Sequence, residues 1–422
     1  MSTNRADEVN VLRLTLHGRL VGYLAGFKNG RNVLSFANDF KQDSGRPTFS
    51  LITHPSFPRS ERFMAEPLVK NLRVHPTLSN LLPEGSLREL IAQSLKIHVD
   101  DEFQILTYLG KDLPGALIAE PMEPEDVPES ILVRYGKAKV VRFRNKIPAN
   151  KFSLAGVQLK FSMKEKEGRY NLSTGNILGD WIVKTPSAIH KDVPLNEYSA
   201  MTLASLAGVN IPAIKLIELS KLDNLPEIKL PDETFAFAIK RFDRENDMRI
   251  HMEDFAQVLV KYPHEKYHSV SYEQIARILY EYSGDGLADV QQFARRLLVN
   301  ILLANGDAHI KNWSLLYSDQ LTPRLSPAYD IVTTSVYIDD ERQHALNLGK
   351  NKDWYQASYM HFQMWAEHSK IPWRVIKPHL DDTIEKAKAL WPEALKKLPM
   401  NEVHKKKLQN HWKSLQNPFR II

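Results

Sequence analysis

The chain contains 422 residues, of which 43% are hydrophobic and 25% are charged, so a disordered or low-complexity protein is excluded and two or three domains are predicted. The 56 basic and 50 acidic residues leave a net charge of +6, which permits contact with nucleic acid without arguing for it. Cysteine is absent, and this excludes disulfides, thiolate catalysis and zinc–thiolate sites.

The first 145 residues predict an α+β unit. Alternating apolar residues over Val11–Phe27, interrupted at His17-Gly18, predict a β-hairpin. An apolar stripe between Leu68 and Leu95 has the period of a helix. Further short strands are expected at Val33–Phe40, Phe49–Leu51 and Gly115–Ala119.

The rest of the chain is first strand-rich and then helix-rich. Strands are predicted at Phe152–Met163, Tyr170–Asn176, Trp181–Lys184, Val209–Leu219 and Phe235–Phe242, with one helix at Leu195–Ala207 that Gly208 ends. Helices are then predicted at Phe255–Tyr262, Ser271–Ser283, Leu287–Ala304, Met360–His368, Trp373–Lys388 and Asn401–Leu415. We therefore expect three parts, with boundaries at 1–145, 146–245 and 246–422.

Membrane insertion and secretion are not expected. The longest uncharged stretch, Tyr198–Ile214, has 17 residues and contains Pro212, whereas a membrane-spanning helix needs about 20 apolar residues. Residues 1–10 contain no apolar core behind a basic start, so they do not resemble a secretory signal. We expect a cytoplasmic protein.

A turn after the predicted helix Leu287–Ala304 gathers polar residues. Asp307 and Asn312 have the Asp-x4-Asn spacing of a protein-kinase catalytic loop, and Asp330 follows where a metal-binding aspartate is expected. Phosphoryl transfer needs one carboxylate to accept the proton of the attacking hydroxyl and hard oxygen ligands for Mg²⁺. The same spacing also arises by chance at a capped helix end, so it predicts a kinase only together with other features.

Two upstream segments add to this pattern. Lys184 ends an apolar strand and Glu197 lies in the following helix, which is how kinases pair the lysine that holds the ATP phosphates. The alternative is a solvated lysine and a surface glutamate. Ala155-Gly156 precedes Lys160 and lets backbone amides approach an anion, although by itself this segment is typical of a β-bulge or hairpin.

In this order, the motifs resemble the HipA-type serine/threonine kinases, toxins of bacterial toxin–antitoxin pairs. The resemblance spans nearly the whole chain and implies a two-lobed kinase-like α+β fold preceded by a small α+β subdomain. Its motifs are NLLPEG (80–85), SLAGVQLK (153–160), VKTP (183–186), NEY (196–198), KRFDR (240–244), EDFAQ (253–257), NGDAHIKNWS (305–314) and PAYDI (327–331).

The resemblance also implies roles for individual residues. Asp307 would be the catalytic base, and Asn312 and Asp330 would bind Mg²⁺. Ser153 would be autophosphorylated, and its phosphate would eject the adjacent loop and silence the kinase. ATP would contact Ala155, Gly156, Val157, Gln158, Leu159, Lys160, Lys184, Lys240, Arg241, Phe242, His309, Lys311 and Tyr329.

The partners that the resemblance implies are a helix-turn-helix antitoxin dimer, operator DNA bound through it, and an aminoacyl-tRNA synthetase, typically the glutamyl enzyme, as substrate. The toxin would then be nucleoid-associated while it is in the antitoxin–DNA complex. Lys350 and Lys352 fall near the family's short DNA-contacting segment, where the alternative is a solvated loop. For the lysines 405–407, a solvated helix is favoured over DNA contact.

Two other functions stay open at this stage. The chain could act mainly as a corepressor with little kinase turnover, which the positive charge favours. It could also be a kinase-fold enzyme for a small molecule, although SLAGVQLK (153–160) ahead of the lysine strand argues against that class.

Overall fold

The computed structural model describes residues 8–129, 131, 138–143, 158–172, 178–225 and 229–422. The strands in these residues, numbered along the chain, are β1 (Glu8–Leu16), β2 (Arg19–Phe27), β3 (Arg31–Phe36), β4 (Leu68–Asn71), β5 (Leu117–Pro121), β6 (Lys139–Val140), β7 (Lys160–Lys166), β8 (Arg169–Leu172), β9 (Trp181–Lys184), β10 (Ile214–Glu218), β11 (Leu222–Asp223), β12 (Phe235–Lys240), β13 (Arg244–Glu245), β14 (Met248–Arg249), β15 (His251–Asp254), β16 (Ser314–Tyr317), β17 (Arg324–Leu325), β18 (Gln343–Leu348) and β19 (Asn351–Asp353).

The α-helices of the same residues are numbered in the same way. They are α1 (Asn38–Gln42), α2 (Ser60–Ala65), α3 (Pro76–Ser79), α4 (Gly85–Leu95), α5 (Glu102–Leu109), α6 (Val193–Leu206), α7 (Phe255–Val258), α8 (Tyr272–Tyr282), α9 (Gly286–Leu302), α10 (Tyr359–His368), α11 (Lys377–Lys397) and α12 (Glu402–Ser414). No helix in the described ranges is both long enough and apolar enough to cross a membrane.

The chain divides into two compact units. The first contains the described residues before 144 together with Asp243–Pro263 and Tyr317–Thr322, and the second contains the remaining described residues. The sequence-predicted boundaries at 145/146 and 245/246 are finer than this division and stay predictions.

The first unit is built on a sheet with strand order β4-β3-β2-β1-β5, to which β6 adds alongside β1. Its neighbours on that path are antiparallel. The predicted hairpin is confirmed: His17 and Gly18 form the turn between β1 and β2, both with positive φ, as a two-residue hairpin turn requires. Side chains alternate between the two faces of the sheet, so Leu12 and Leu14 enter the larger apolar core while Val11 packs on the opposite face.

Three predictions in this unit were wrong in detail. The helical stripe was predicted to begin at Leu68, but Leu68–Asn71 is strand β4 and pairs with β3. The strand predicted at Val33–Phe40 ends at Phe36, because α1 follows. The strand predicted at Phe49–Leu51 does not form, and Leu51–Thr53 is instead a short 3₁₀-helix. Segments of about four residues are too short for apolar periodicity to distinguish helix from strand.

The second unit combines a six-stranded sheet with the long helices. The strand order is β10-β12-β9-β7-β8-β11, antiparallel except where β11 runs parallel to β8. Helix α6 packs against β12 and against α11. The helical core contains Trp365, Trp391 and Trp412, each fully buried, and the Trp391 indole donates a 2.8 Å hydrogen bond to the Leu203 carbonyl of α6. The predicted order, strands followed by helices, is confirmed.

The first unit contains a buried carboxyl group, Glu253, that forms no ion pair within the described residues. Glu253 is 1% exposed. Its Oε1 accepts hydrogen bonds from the Leu51 amide (2.7 Å) and the Tyr317 hydroxyl (2.5 Å), and the Ser50 hydroxyl lies 2.6 Å from Oε2. Burial raises the pKa of Glu253 from 4.5 to about 7, although these hydrogen bonds oppose the rise. The folded protein therefore holds a proton here that the unfolded chain releases at lower pH.

We expect Glu253→Gln to change how stability depends on pH. Because the folded pKa is raised, the stabilisation that the Glu253 proton provides is complete below pH 4.5 and is lost as the pH rises through 7. Urea unfolding of the two proteins should therefore show the variant gaining about 3 kcal/mol over the wild type between pH 4.5 and pH 8. Glu245→Gln, an exposed change in the same unit, is the control. A stability difference that stays constant over this pH range would contradict the assignment.

Candidate active site

Two lysines face each other across neighbouring strands of the second unit. Lys160 of β7 is the direct register partner of Lys184 of β9, so both side chains project from the same face of the sheet. Like charges in this arrangement repel each other. Asp330 compensates for them, since its Oδ1 pairs with the Lys184 ammonium and its Oδ2 lies 3.4 Å from the Lys160 ammonium.

The buried Lys184–Glu197 pair predicted from the sequence is present. Glu197 projects from α6 and its Oε1 pairs with the Lys184 ammonium; the two side chains are 1% and 5% exposed. Lys184 also lies 5.6 Å from the ring centroid of Phe237, its register partner on β12. The lysine is thus held by two carboxyl groups and an aromatic face.

The charges of this cluster are fixed by their mutual contacts. Burial by itself lowers the pKa of Lys184, but Asp330 and Glu197 outweigh it and raise that pKa above its ordinary value. Burial by itself raises the pKa of Asp330, but Lys160 and Lys184 hold it well below its ordinary value. At neutral pH, Lys184 is therefore a cation and Asp330 an anion.

The position of Asp330 depends on Asn196, the residue before Glu197. The Asn196 side chain is fully buried and makes two 3.0 Å hydrogen bonds to the Thr333 backbone, donating to its carbonyl and accepting from its amide. This ties α6 to the segment that carries Asp330. Asp330 itself has a φ of +54°, a left-handed conformation that aspartate tolerates better than most residues.

Asp307 lies in a turn that a chain of buried amides supports. Its backbone amide donates to Asn305 Oδ1 (3.1 Å), and the Asn305 side chain donates to Asn300 Oδ1 of α9 (2.8 Å). Asn312 Nδ2 donates to the Asp307 carbonyl over 2.8 Å. The Asp307 carboxylate itself is 53% exposed and accepts a hydrogen bond from the Tyr267 hydroxyl. Hydrogen bonds thus anchor the backbone of the turn, whereas its carboxylate is exposed.

Other predicted nucleotide-site residues surround this turn. His309 is buried, and its Nε2 lies 3.9 Å from Asp307 Oδ1. The Tyr329 hydroxyl donates to the Lys311 carbonyl over 2.8 Å, which ties the turn to the segment before Asp330. The Tyr329 ring lies 5.7 Å from that of Phe242.

Asn312 and Asp330, the predicted magnesium ligands, line the same small recess, with a volume of about 10 Å³. That is roughly the space for one water molecule. No group of three histidine, aspartate or glutamate side chains in the described ranges forms a metal cage. One carboxylate and one amide oxygen on a shared recess fit Mg²⁺, which usually takes its remaining ligands from waters and phosphates.

At Lys240–Phe242, where the resemblance predicts contacts with ATP, hydrogen bonds within the unit already engage two of the backbone amides. The Lys240 amide donates to the Ala213 carbonyl and the Arg241 amide to the Asp180 carbonyl. The Lys240 ammonium pairs with Asp180 at 2.8 Å. An adenine bound here would therefore use carbonyl oxygens or the Phe242 amide.

Part of the predicted phosphate loop, namely Ala155, Gly156 and Val157, lies outside the described residues. Ser153, the predicted autophosphorylation site before the loop, also lies outside them. Of the remainder, Gln158 is half-buried and Leu159 is buried. The Leu159 carbonyl accepts a 3.0 Å hydrogen bond from the Thr185 amide. The described end of the loop is thus attached beside Lys184.

The basic residues considered for DNA contact have different surroundings. Lys350 is exposed, with a φ of +65°, and Lys352 donates to the Ala345 carbonyl over 3.2 Å. On α12, Lys405 pairs with Glu402 at 2.8 Å and Lys407 with Asp339 at 3.1 Å. These two lysines therefore make ion pairs within the unit, and Lys405 is buried. The preference for a solvated helix over DNA contact stays a prediction.

Sequence reasoning missed two contributors to the site. Tyr267 gave no signal because it belongs to no motif and lies 40 residues before Asp307. Thr334, four residues after Asp330, accepts from the Gly306 amide (2.7 Å) and donates to Glu341 (2.6 Å). Asn196 belongs to the NEY motif, which the sequence analysis identified, but its contact with the Thr333 backbone could not be predicted from that motif.

These features define a protein of the kinase-like fold: a sheet that carries Lys184, a helix that carries Glu197, and two loops that carry Asp307 and Asp330. A solved Shewanella oneidensis MR-1 complex of HipA, HipB and operator DNA contains a chain with this fold. It matches with a TM-score of 0.71 and 21% identity over 96% of this chain and 97% of that one.

Residues 12–120 match the HipA N-terminal domain and residues 152–391 the HipA-like C-terminal domain. Sinorhizobium fredii protein Y4dM is 37% identical over 93% of this chain and 94% of its own length. The serine/threonine-protein kinase toxin HipA of Shewanella oneidensis is 24% identical over 65% of this chain and 66% of its own. The chain belongs to the HipA family.

The Lys184–Glu197 pair predicts a stability test. Lys184→Met leaves a buried Glu197 without its cation, and such losses cost about 3–5 kcal/mol. Glu197→Gln in the same protein should restore part of this, because the unpaired carboxyl is then gone. Chemical unfolding should be compared with Lys215→Met, which breaks an exposed 3.1 Å pair with Glu165 of the same sheet and should cost no more than about 1 kcal/mol. Equal costs for the two lysine variants would contradict this account.

Proposed function

We propose that this protein is an ATP-dependent serine/threonine protein kinase that acts as the toxin of a toxin–antitoxin module. The observation that carries the proposal is the Lys184–Glu197–Asp330 cluster together with the Asp307–Asn312 turn in one compact unit. These are the groups that phosphoryl transfer by a kinase uses, namely a phosphate-binding lysine with its glutamate, a base and metal-binding oxygens.

The nucleotide would exchange places with internal contacts. Lys184 and Lys160 both pair with Asp330, so they already project toward one point as two cations. We propose that they transfer from Asp330 to the ATP phosphates, with Ala155–Lys160 as the phosphate loop. The Lys240–Phe242 backbone would contact the adenine, and His309, Lys311 and Tyr329 would line the nucleotide site.

Asp330 and Asn312 would hold Mg²⁺. Magnesium, when bound, neutralises developing charge on the phosphates. The release of Asp330 from its two lysines is what frees its oxygens for that role. While Lys160 and Lys184 contact Asp330, they hold its pKa low, so Asp330 is an anion when this exchange begins.

The transfer itself would be completed by Asp307. A serine or threonine hydroxyl oxygen attacks the γ-phosphorus, the bond from that phosphorus to the bridging oxygen of ADP breaks, and Asp307 accepts the hydroxyl proton. ADP leaves with the electron pair of the broken bond. The products are a phosphorylated protein, ADP and one proton, which Asp307 later releases to water.

Self-phosphorylation at Ser153 is part of the proposal. A dianionic phosphate directly before the phosphate loop would compete with ATP for backbone amides and repel the acidic groups of the site. This would silence the kinase. The acceptor in other proteins is proposed to be a serine of glutamyl-tRNA synthetase, whose phosphorylation would stop translation and arrest growth.

The partners follow from the same family. We propose a HipB-like helix-turn-helix antitoxin dimer and, through it, operator DNA, so that the complex associates with the nucleoid. The solved Shewanella complex of HipA with HipB and operator DNA supports this, as does the exposed position of Lys350. The same observations favour the second candidate, a corepressor with little kinase turnover.

Asp307→Asn should separate the two candidates. The amide cannot accept the hydroxyl proton, so transfer should fall by at least about a hundredfold, whereas MgATP affinity should be retained. Intact-mass and peptide mapping of the antitoxin-free proteins should find one phosphate, on Ser153, in the wild type and none in the variant. Asp232→Asn, an exposed change in the same unit, should match the wild type. ATP binding without phosphate on any of these proteins would favour the corepressor.

Asp330→Asn tests the metal assignment. Asparagine tolerates the left-handed backbone at this position but removes the negative charge that Mg²⁺ requires. ATP titrations with and without Mg²⁺ should show that the metal-dependent gain in affinity of the wild type is lost in the variant and kept in the exposed control Glu385→Gln. The same metal-dependent gain in Asp330→Asn would refute Asp330 as a ligand.

A further inference from the structure

We propose that a polar groove beside the Asp307 turn binds an extended segment of the acceptor protein, and that Tyr267 is the positioning residue that connects this groove to Asp307. This inference rests on the proposed kinase function and names its acceptor site. All of the residues involved belong to the second unit.

The groove has a volume of about 440 Å³ and lies between the loop that precedes α8 and the β18–β19 hairpin. Its walls are joined by a parallel bridge between Ser271 and Asn347, and by a 2.7 Å hydrogen bond from the Gly349 amide to Glu273 Oε1. The groove is therefore a built feature of the fold. It is lined by residues that include Tyr267, Ser269, Ser271, Gln274, Asn347 and Lys352.

The chemistry of the lining indicates a polypeptide. Ser269, Ser271 and Asn347 contribute hydroxyl and amide groups, which both donate and accept hydrogen bonds. A peptide backbone offers the same two functions at every residue. Small-molecule pockets are instead lined mainly by apolar and aromatic side chains. The occupant that fits is an extended protein segment with a serine or threonine near its Tyr267 end.

Tyr267 joins this groove to the reacting carboxylate. Its ring lines the groove, while its hydroxyl donates to Asp307 Oδ1. The ring is held edge-on against His309, with 5.1 Å between the centroids, and the Lys266 ammonium lies 5.5 Å from its centroid. The Asp307 carboxylate is more than half exposed, so this hydrogen bond is what sets its orientation.

The consequence concerns the second oxygen of Asp307. With Oδ1 engaged by Tyr267, Oδ2 is the oxygen that would accept the proton of an acceptor hydroxyl. Catalysis by a positioned base depends on such orientation within hydrogen-bond reach. Lys352 lies at the hairpin wall of the same groove, so its charge bears on how the segment binds rather than on the transfer step.

Tyr267→Phe and Lys352→Glu test the two halves of the proposal separately. The acceptor probe is a mixture of serine-centred peptides with degenerate flanks, and MgATP affinity and ATP hydrolysis in water are measured alongside. Tyr267→Phe keeps the ring and should lower kcat for peptide transfer about tenfold with KM unchanged. Lys352→Glu should change KM about tenfold with kcat unchanged. Tyr280→Phe and Lys388→Glu, both exposed and outside the site, are the matched controls.

The outcomes are distinguishable. MgATP affinity equal to wild type in both variants would establish that the fold is intact. Wild-type protein that hydrolyses ATP but transfers nothing to the peptides, or variants with the kinetics of their controls, would overturn the acceptor groove. Weaker operator binding by the antitoxin complex of Lys352→Glu, with unchanged peptide KM, would make Lys352 a DNA contact instead. Failure of the wild type to bind or hydrolyse ATP would overturn the proposed function itself.

Discussion

The second unit depends on one electrostatic constraint: two lysines placed directly opposite each other on one face of a sheet. Lys160 and Lys184 are register partners, and a direct like-charge pair destabilises a sheet unless an anion lies between them. Asp330 supplies that anion, from a loop 146 residues beyond Lys184 in the chain. The sheet and the loop that carries Asp330 are therefore coupled by charge as well as by packing.

This constraint accounts for the surrounding hydrogen bonds. A carboxylate that balances two cations must be held in place, and Asn196 does so by fastening the Thr333 backbone to α6. Glu197, the next residue, contacts the Lys184 ammonium from the same helix. One short motif therefore positions both carboxyl groups around the lysine, and the arrangement exists before any phosphate is bound.

Buried carboxyl groups in the two units show how partners decide ionisation. Glu253 accepts hydrogen bonds from neutral groups, and burial raises its pKa to about 7. Asp330 contacts two ammonium groups, and its pKa is held low despite burial. Burial opposes the charge in both cases, and at Asp330 the two ammonium groups outweigh it. Glu253 therefore stabilises its unit as a neutral acid, whereas Asp330 acts as a fixed anion.

The sequence by itself determined the parts and their order. The hairpin at His17-Gly18, the strand that ends at Lys184, the helix with Glu197 and the Asp307–Asn312 turn were all predicted, because each depends on local periodicity, turn chemistry or motif spacing. Strand β4 was not, because four residues carry too little periodicity.

Only the tertiary structure decided which distant groups meet. The pairing of Lys160 with Lys184 follows from strand register, and the contact of Tyr267 with Asp307 follows from the path of a loop without a motif. The groove along that loop likewise exists only after the hairpin at Asn347 pairs with Ser271. Local sequence specifies neither register nor long-range contact, because both are set by how complete faces pack together.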